Sequence, residues 1–333
     1  MTLSSSPPPL ELPPERISAF ARARSLWQSA GMLALYVLLF IACSLLFPNF
    51  LSWYNMGSLA QLIIIVGIVS CGMLFCLAAA DFDLSVGSVA AFSGIVAVVV
   101  VNHTNSVALG ILGGLAAGAA VGLVNGFVVA ALGINALIAT LATMQIVRGL
   151  AYIASHNTSI GAIDTGGRFH ILFGKAVLLH VPTPVWLMIG CFIVCGFLFH
   201  STTFGRNTLA IGGNIEAARL AGVATARTKI LVFTLQGTLA GLAGIVGASQ
   251  SGLGDPHASI GLELQVIAAC VLGGVSLTGG IGTILAVIAG TLIMGTVQNA
   301  MDLNGVDTNK QYLVSGGILL AAVLFDKLKQ KWT

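Results

Sequence analysis

Within a chain of long apolar runs, the sharpest polar feature is Asp81-Phe82-Asp83-Leu84-Ser85-Val86-Gly87-Ser88. Two carboxylates close one apolar run just before the next begins. A carboxylate at mid-bilayer costs a few kcal/mol or more, so one held there is normally a functional group, on a proton, ion or solute path. At the interface the same residues have a structural use, with Asp83, Ser85 or Ser88 capping the helix that follows. Sequence alone does not set their depth, and both readings stand at this point. Further polar residues lie in or beside apolar runs: Asn125, Asn135, Thr140, Thr143, Gln145, Arg148, Glu263, Gln265, Gln298 and Asn299. Singly, each suits a hydrogen bond between helices. Together they suit the path of a neutral polar solute, which needs hydroxyl and amide partners and not buried charge pairs or a dehydrated-ion cage.

Several chemistries are excluded. No GxSxG, HExxH or P-loop occurs, so no catalytic residue is expected. The Asp81/Asp83 pair has no second acidic cluster with which to hold a Mg²⁺-diphosphate. The six cysteines (Cys43, Cys71, Cys76, Cys191, Cys195, Cys270) fall in apolar runs without CxxC spacing, so they read as packing residues and no metal site is expected. The six histidines lie at run ends or in loops and read as ordinary interfacial residues. The chain carries no ATP-binding apparatus and no cofactor of its own. If ATP drives it, another subunit supplies the motor.

The elements that must position these groups are transmembrane helices. Hydrophobic residues make up 57% of the 333 residues and charged residues 8%, against about 25% charged in soluble domains. The 41 glycines allow close helix approach. A net charge of +3, with no basic patch interleaved with aromatics, gives no sign of nucleic-acid binding. About twenty apolar residues cross a bilayer, which predicts ten spans: 30–47, 57–80, 84–101, 107–132, 135–155, 184–200, 229–250, 261–277, 282–301 and 309–325. The third and eighth are short, Gly-interrupted and polar at one end, and two readings stand for them: full crossings, or half-helices or re-entrant segments. The fold class is therefore all-α, membrane-embedded, within a permease domain over 29–328.

Flanking it, a Pro-rich tail over 1–28 is expected to be disordered, with a short C-terminal tail over 329–333. Placing both termini in the cytoplasm puts Arg206, Arg219, Arg227, Lys229 and the terminal basic residues inside, and leaves only Arg168, Lys175 and Lys310 outside. Two soluble segments then follow, an outer one over 156–183 and an inner one over 201–228. The inner segment predicts a helix–turn–helix: Gly212 and Gly213 break it early, Asn214 caps the piece Ile-Glu-Ala-Ala-Arg-Leu, and Gly222 ends it. A faint repeat, Gly118/Gly122/Asn125 against Gly290/Gly295/Asn299, lies five spans apart and would have inverted topology.

Three stretches carry a resemblance. GRNTLAIGGNIEAARLAGV (205–223), ADFDLSVGS and VIAACVLGGVSLTGGIGT are similar to the cytoplasmic coupling loop, the acidic signature and the late Gly-rich segment of ABC-importer permeases of the ribose, xylose and arabinose type. The likeness runs from about 30 to 328, with the finer match to the arabinose branch; one departure is Ala80, where the family often has Gly. The resemblance implies a type II importer permease fold in a bacterial inner membrane. It implies a homodimeric pore for a sugar, L-arabinose in that branch. It further implies an ABC ATPase subunit that holds ATP and Mg, and a periplasmic sugar-binding protein. On this likeness the ATPase-coupling residues are Gly205, Arg206, Asn207, Gly212, Gly213, Asn214, Glu216, Ala217, Ala218, Ala221 and Gly222, with Ala217, Ala218, Ala221 and Gly222 forming the small-residue face turned to the ATPase. Pathway or signature residues are Asp81, Asp83, Ser85, Gly87, Asn125, Asn135, Gln145 and Asn299. Two other readings are an ion-coupled secondary sugar transporter working through Asp81 and Asp83, and an intramembrane Mg²⁺ enzyme.

Overall fold

The structure is a computed structural model that describes residues 19–164 and 166–331. Most of the tail expected over 1–28, and the last two residues of the one over 329–333, lie outside the described residues.

Helix α1 (Ala19–Leu46) begins inside the segment expected as tail, and its apolar part is Gly31–Leu46. It is followed by α2 (Trp53–Ala78), α3 (Val86–Thr104), α4 (Val107–Ala130) and α5 (Ala136–Ala154). The segment after α5 holds a two-residue strand β1 (Ile160–Gly161), a single turn α6 (Arg168–His170), a π turn (Ile171–Lys175) and a small hairpin of β2 (Val177–Leu178) and β3 (Val181–Pro182). Then come α7 (Thr183–Ser201), α8 (Thr203–Gly213), α9 (Ile215–Leu220) and α10 (Thr225–Ser251). After β4 (Leu253–Gly254), which pairs antiparallel with β1, the chain ends with α11 (Leu262–Gly273), α12 (Ile284–Leu303) and α13 (Thr308–Lys331).

Seven of these helices are long and apolar enough to cross a membrane. Counted with α1, α11 and α13, they are consistent with the roughly ten spans expected. Of the two spans left open, the third is a helix of full length: α3 has 19 residues and rises about 28 Å, enough to cross. The eighth is the short one. Helix α11 has 12 residues, about 18 Å, well below a hydrocarbon core of about 30 Å. The missing depth is covered by the non-helical chain before it. Gly254 packs on Ile95 and Val98 of α3, and Ser259 lies against Gly87 at the start of α3. Residues 254–261 therefore run along α3 toward its start, with Gly254 and Pro256 buried and His257 and Ile260 exposed.

The core forms around the contact of α2 with α10. Helices α3 and α4 pack on α10, while α11 and α12 pack on α2. Each of these helices has its counterpart five crossings away, which is the inverted relation suggested by the glycine repeat. Glycine recurs at every fourth residue of α4 (Gly110, Gly114, Gly118, Gly122, Gly126), and a Cβ at Gly118 or Gly122 would run into the backbone of α10 around Gly237. Close backbone approach of this kind supplies dispersion contact where water gives no hydrophobic drive. All six cysteines are buried and free, as packing residues should be.

Candidate functional site

Three features could carry function, beginning with the turn between α2 and α3. The Asp81 amide donates to Cys76 O, and the Asp81 carboxylate meets Lys229 Nζ of α10 at 2.8 and 3.1 Å. Asp83 Oδ1 accepts from the Ser85 amide at 2.9 Å and the Ser85 hydroxyl at 2.6 Å, just ahead of α3. Ser85 Oγ in turn accepts from Asn125 Nδ2 of α4 at 3.0 Å, and the Leu84 amide donates to Thr140 Oγ1 of α5 at 3.1 Å. Burial pushes both carboxyls above their usual range; Lys229 pulls Asp81 back, and the Ser85 hydroxyl and amide pull Asp83 back. The turn is thus a polar knot that ties α3, α4, α5 and α10 to the end of α2. Lys229, which closes it, was not among the residues expected here; its signal in sequence is a basic residue at the start of an apolar run.

The second feature is the α8–α9 pair. Thr202 caps α8, and Gly205 lies so close to the Phe199 backbone that it sets the bend out of α7. Gly212 rests directly on Ala78 O at the end of α2, where the Gly280 amide also donates at 3.0 Å. Asn214 caps α9 by accepting from the Glu216 and Ala217 amides at 3.0 Å each, and Gly222 follows it with φ +83°. The expected cap and stop are both present. The expected small-residue face is not a single face. Ala218 is buried against Ala79 and Ile211, so it anchors α9, while Ala217, Ala221 and Gly222 are exposed. Glu216 and Arg219 form an exposed pair at 3.8 Å, and Leu220 is 89% exposed. Arg206 and Gly213 are exposed and Asn207 is half-buried. A capped helix seated on the end of α2, with a bare leucine at its tip, has the form of a docking element. Leu220 was missed because one apolar residue within a polar loop looks like a buried anchor.

The third feature is a cavity of about 810 Å³ that opens on the face opposite α8–α9, between α2, α11 and α12. The buried amides Asn55 and Asn299 pair reciprocally at 2.9 Å in its wall. Asn299 and Asn125 are thus buried and bonded, but at separate places. Asn135 lies elsewhere again, capping α5 through the Leu137 amide at 2.9 Å, and Gln145 is exposed on α5. Sequence reasoning also left Arg148 without a task. Its guanidinium donates to Pro256 O at 2.6 Å and Ala258 O at 2.9 Å, pinning the descending segment before α11. That segment reads Asp255-Pro-His-Ala-Ser259-Ile-Gly261 and repeats the Asp81…Ser85-Val-Gly87 spacing residue for residue. The repeat would have revealed the second break in the sequence. A Cβ on Gly87 would strike Ser259 O, so the two repeated breaks meet inside the bundle.

A multi-pass helical bundle with two breaks that meet inside it and a helix pair docked on one face suits a membrane permease. The chain belongs to the family described as "Branched-chain amino acid transport system / permease component", whose model matches residues 55–323. It is 55% identical to the L-arabinose transport system permease protein AraH of Escherichia coli (strain K12) over 314 residues, 94% of each chain. It is 50% identical to the L-arabinose ABC transporter permease protein AraH of Azospirillum brasilense over 321 residues, 95% of this chain and 94% of that one. Identity to the ribose import permease protein RbsC of E. coli (strain K12) is 38% over 307 residues, 92% and 95%. No solved structure matches the chain.

Proposed function

We propose that this chain is the membrane-spanning subunit of an ATP-driven importer for L-arabinose. The carrying observation is likeness along nearly the whole chain to arabinose permeases at 50–55% identity, against 38% to the E. coli ribose permease. On this reading the chain is not an enzyme. An ABC ATPase subunit binds ATP and Mg, and a periplasmic sugar-binding protein delivers the sugar. A second copy of the chain completes the pore. The α8–α9 face and both termini lie in the cytoplasm of a bacterium, and the 156–183 segment faces the periplasm. Orientation follows from Arg206, Arg219 and Arg227 on the α8–α9 face.

The docked helix pair supports the coupling role. Gly205, Gly212 and Ala218 seat α8 and α9 on the bundle, and Asn214 caps α9. Arg206, Asn207, Gly213, Glu216, Ala217, Leu220, Ala221 and Gly222 remain for the ATPase to grip. Pulling on α9 moves Gly212 against the end of α2, and hence the Asp81–Lys229 knot. In the ion-coupled reading Asp81 and Asp83 would have to be free to take up a cation, yet both are engaged by Lys229 and Ser85.

The test is reconstitution in proteoliposomes with the ATPase and binding protein. Labelled L-arabinose should accumulate only with ATP. Uptake by the chain alone, abolished by a protonophore, would overturn the reading in favour of ion coupling.

A further inference from the structure

The cavity opposite α8–α9 has a wall chemistry that the knot and the docking helices do not share. Apart from one carboxylate its polar side chains are amides and hydroxyls, among them Ser58 and Gln61 from α2, Gln265 from α11, and Gln298 and Asn299 from α12. The charged side chain in its lining is Asp302, which already accepts from Gln311 Nε2 at 2.7 Å. Between the polar groups stand apolar walls from Leu62, Ile65, Val66 and Leu262. An anion would find no counter-charge here, the one carboxylate at the rim is already engaged by an amide, and a lipid tail would be faced with unpaired amides. A neutral polyol fits both parts, with hydroxyls for the amides and C–H faces for the aliphatic wall.

The floor points the same way. A second, much smaller cavity lies directly beneath, and Leu62, Val66, Gln265 and Gln298 line both. Gln265 and Gln298 thus separate the wide space from the narrow one. Thr291 of α12 lines the narrow one; it is 2% exposed, and its Oγ1 has no hydrogen-bond partner. A buried hydroxyl left unpaired is destabilising. One placed just below an amide gate is explained if a hydroxylated solute passes it.

We propose that this cavity is a holding site for a neutral monosaccharide, with Gln265 and Gln298 forming its floor and the Thr291 hydroxyl the next partner below. The proposal rests on the reading of the chain as a sugar permease and adds a place for the sugar within a single copy.

The test uses the assembled complex with its ATPase and binding protein, and separately the permease alone in vesicles. In the Gln298→Cys variant, a membrane-impermeant maleimide should label the new thiol. L-arabinose and ribose should slow labelling several-fold, while the anionic sugar acid arabinonate should not. The Gln265→Leu/Gln298→Leu double variant should import about tenfold more slowly, having lost two hydrogen-bonding amides. Gln265→Asn/Gln298→Asn should recover part of that rate, which separates loss of chemistry from failure to fold. No labelling in the assembled complex would mean that a partner or second copy fills the space, and overturns the proposal. So does labelling that neutral sugars leave unchanged, or unaltered import in the double variant. Sugar protection together with no ATP-driven import by the unaltered complex would support the site and overturn the import reading instead.

Discussion

Ala80 stands in the left-handed backbone region, φ +60°, at the turn where α2 ends and the Asp81–Lys229 knot begins. An L-residue there has its Cβ too near its own carbonyl, at a cost of roughly 1–2 kcal/mol, which glycine escapes. That explains physically why glycine suits this position in chains of similar type. We expect Ala80→Gly to stabilise the protein by about 1 kcal/mol, less any packing lost where Ala80 touches Gly279. The measurement is the thermal unfolding midpoint in detergent. An unchanged or lower midpoint would show that the Gly279 contact outweighs the strain. The same scale explains the two aspartates. Asp83 has a local partner in Ser85 and Asp81 a distant one in Lys229, so the pair reads as the fastening of a turn.

At the scale of elements, α11 is the informative piece. Its 12 residues cannot cross alone, and it reaches its depth only because residues 254–261 descend beside α3. Backbone carbonyls in that stretch need donors, since lipid supplies none. Arg148 supplies two such bonds from α5. We predict that Arg148→Leu speeds amide hydrogen exchange over 255–261 by at least tenfold, for loss of charge-assisted bonds worth about 1.5–3 kcal/mol. Exchange in α8 and α9 should not change. Equal protection in wild type and variant would assign the pinning to some other group. The break was legible in the Asp255…Ser259-Ile-Gly261 repeat, but only once Asp81…Ser85-Val-Gly87 was known to be a break.

For the whole molecule, the two faces differ in chemistry. The α8–α9 face is polar, basic and rigidly seated, and the opposite face opens into the amide-lined cavity. Coupling between them would run through Gly212, the end of α2 and the helices packed on it. Leu220 tests the docking half of this arrangement. It is 89% exposed and caps no helix, so Leu220→Asp should leave insertion and thermal stability unchanged. It should weaken co-purification with the ATPase subunit by tenfold or more, because burying a carboxylate in an apolar cleft is costly. Undiminished co-purification would move the docking surface off α9.

Sequence by itself set out a multi-pass membrane protein of about ten spans, marked a basic loop between two of them, and predicted that Asn214 starts and Gly222 ends a short helix in that loop. These are properties of composition and of contacts within a few residues, which a linear pattern records. It also raised the inverted repeat, through glycines that must face another backbone. Tertiary structure decided what depends on residues far apart in the chain. Asp81 meets Lys229, Arg148 reaches Pro256 and Ala258, and Ser259 comes to rest on Gly87. It also turned Ala218 inward while leaving Ala217 exposed. The cavity amides come from three helices that sequence sets wide apart, so no spacing could announce them. The physical reason is common to all of these. In a membrane the apolar pattern says only that a helix is buried in something, and whether that is lipid or protein is settled by packing alone.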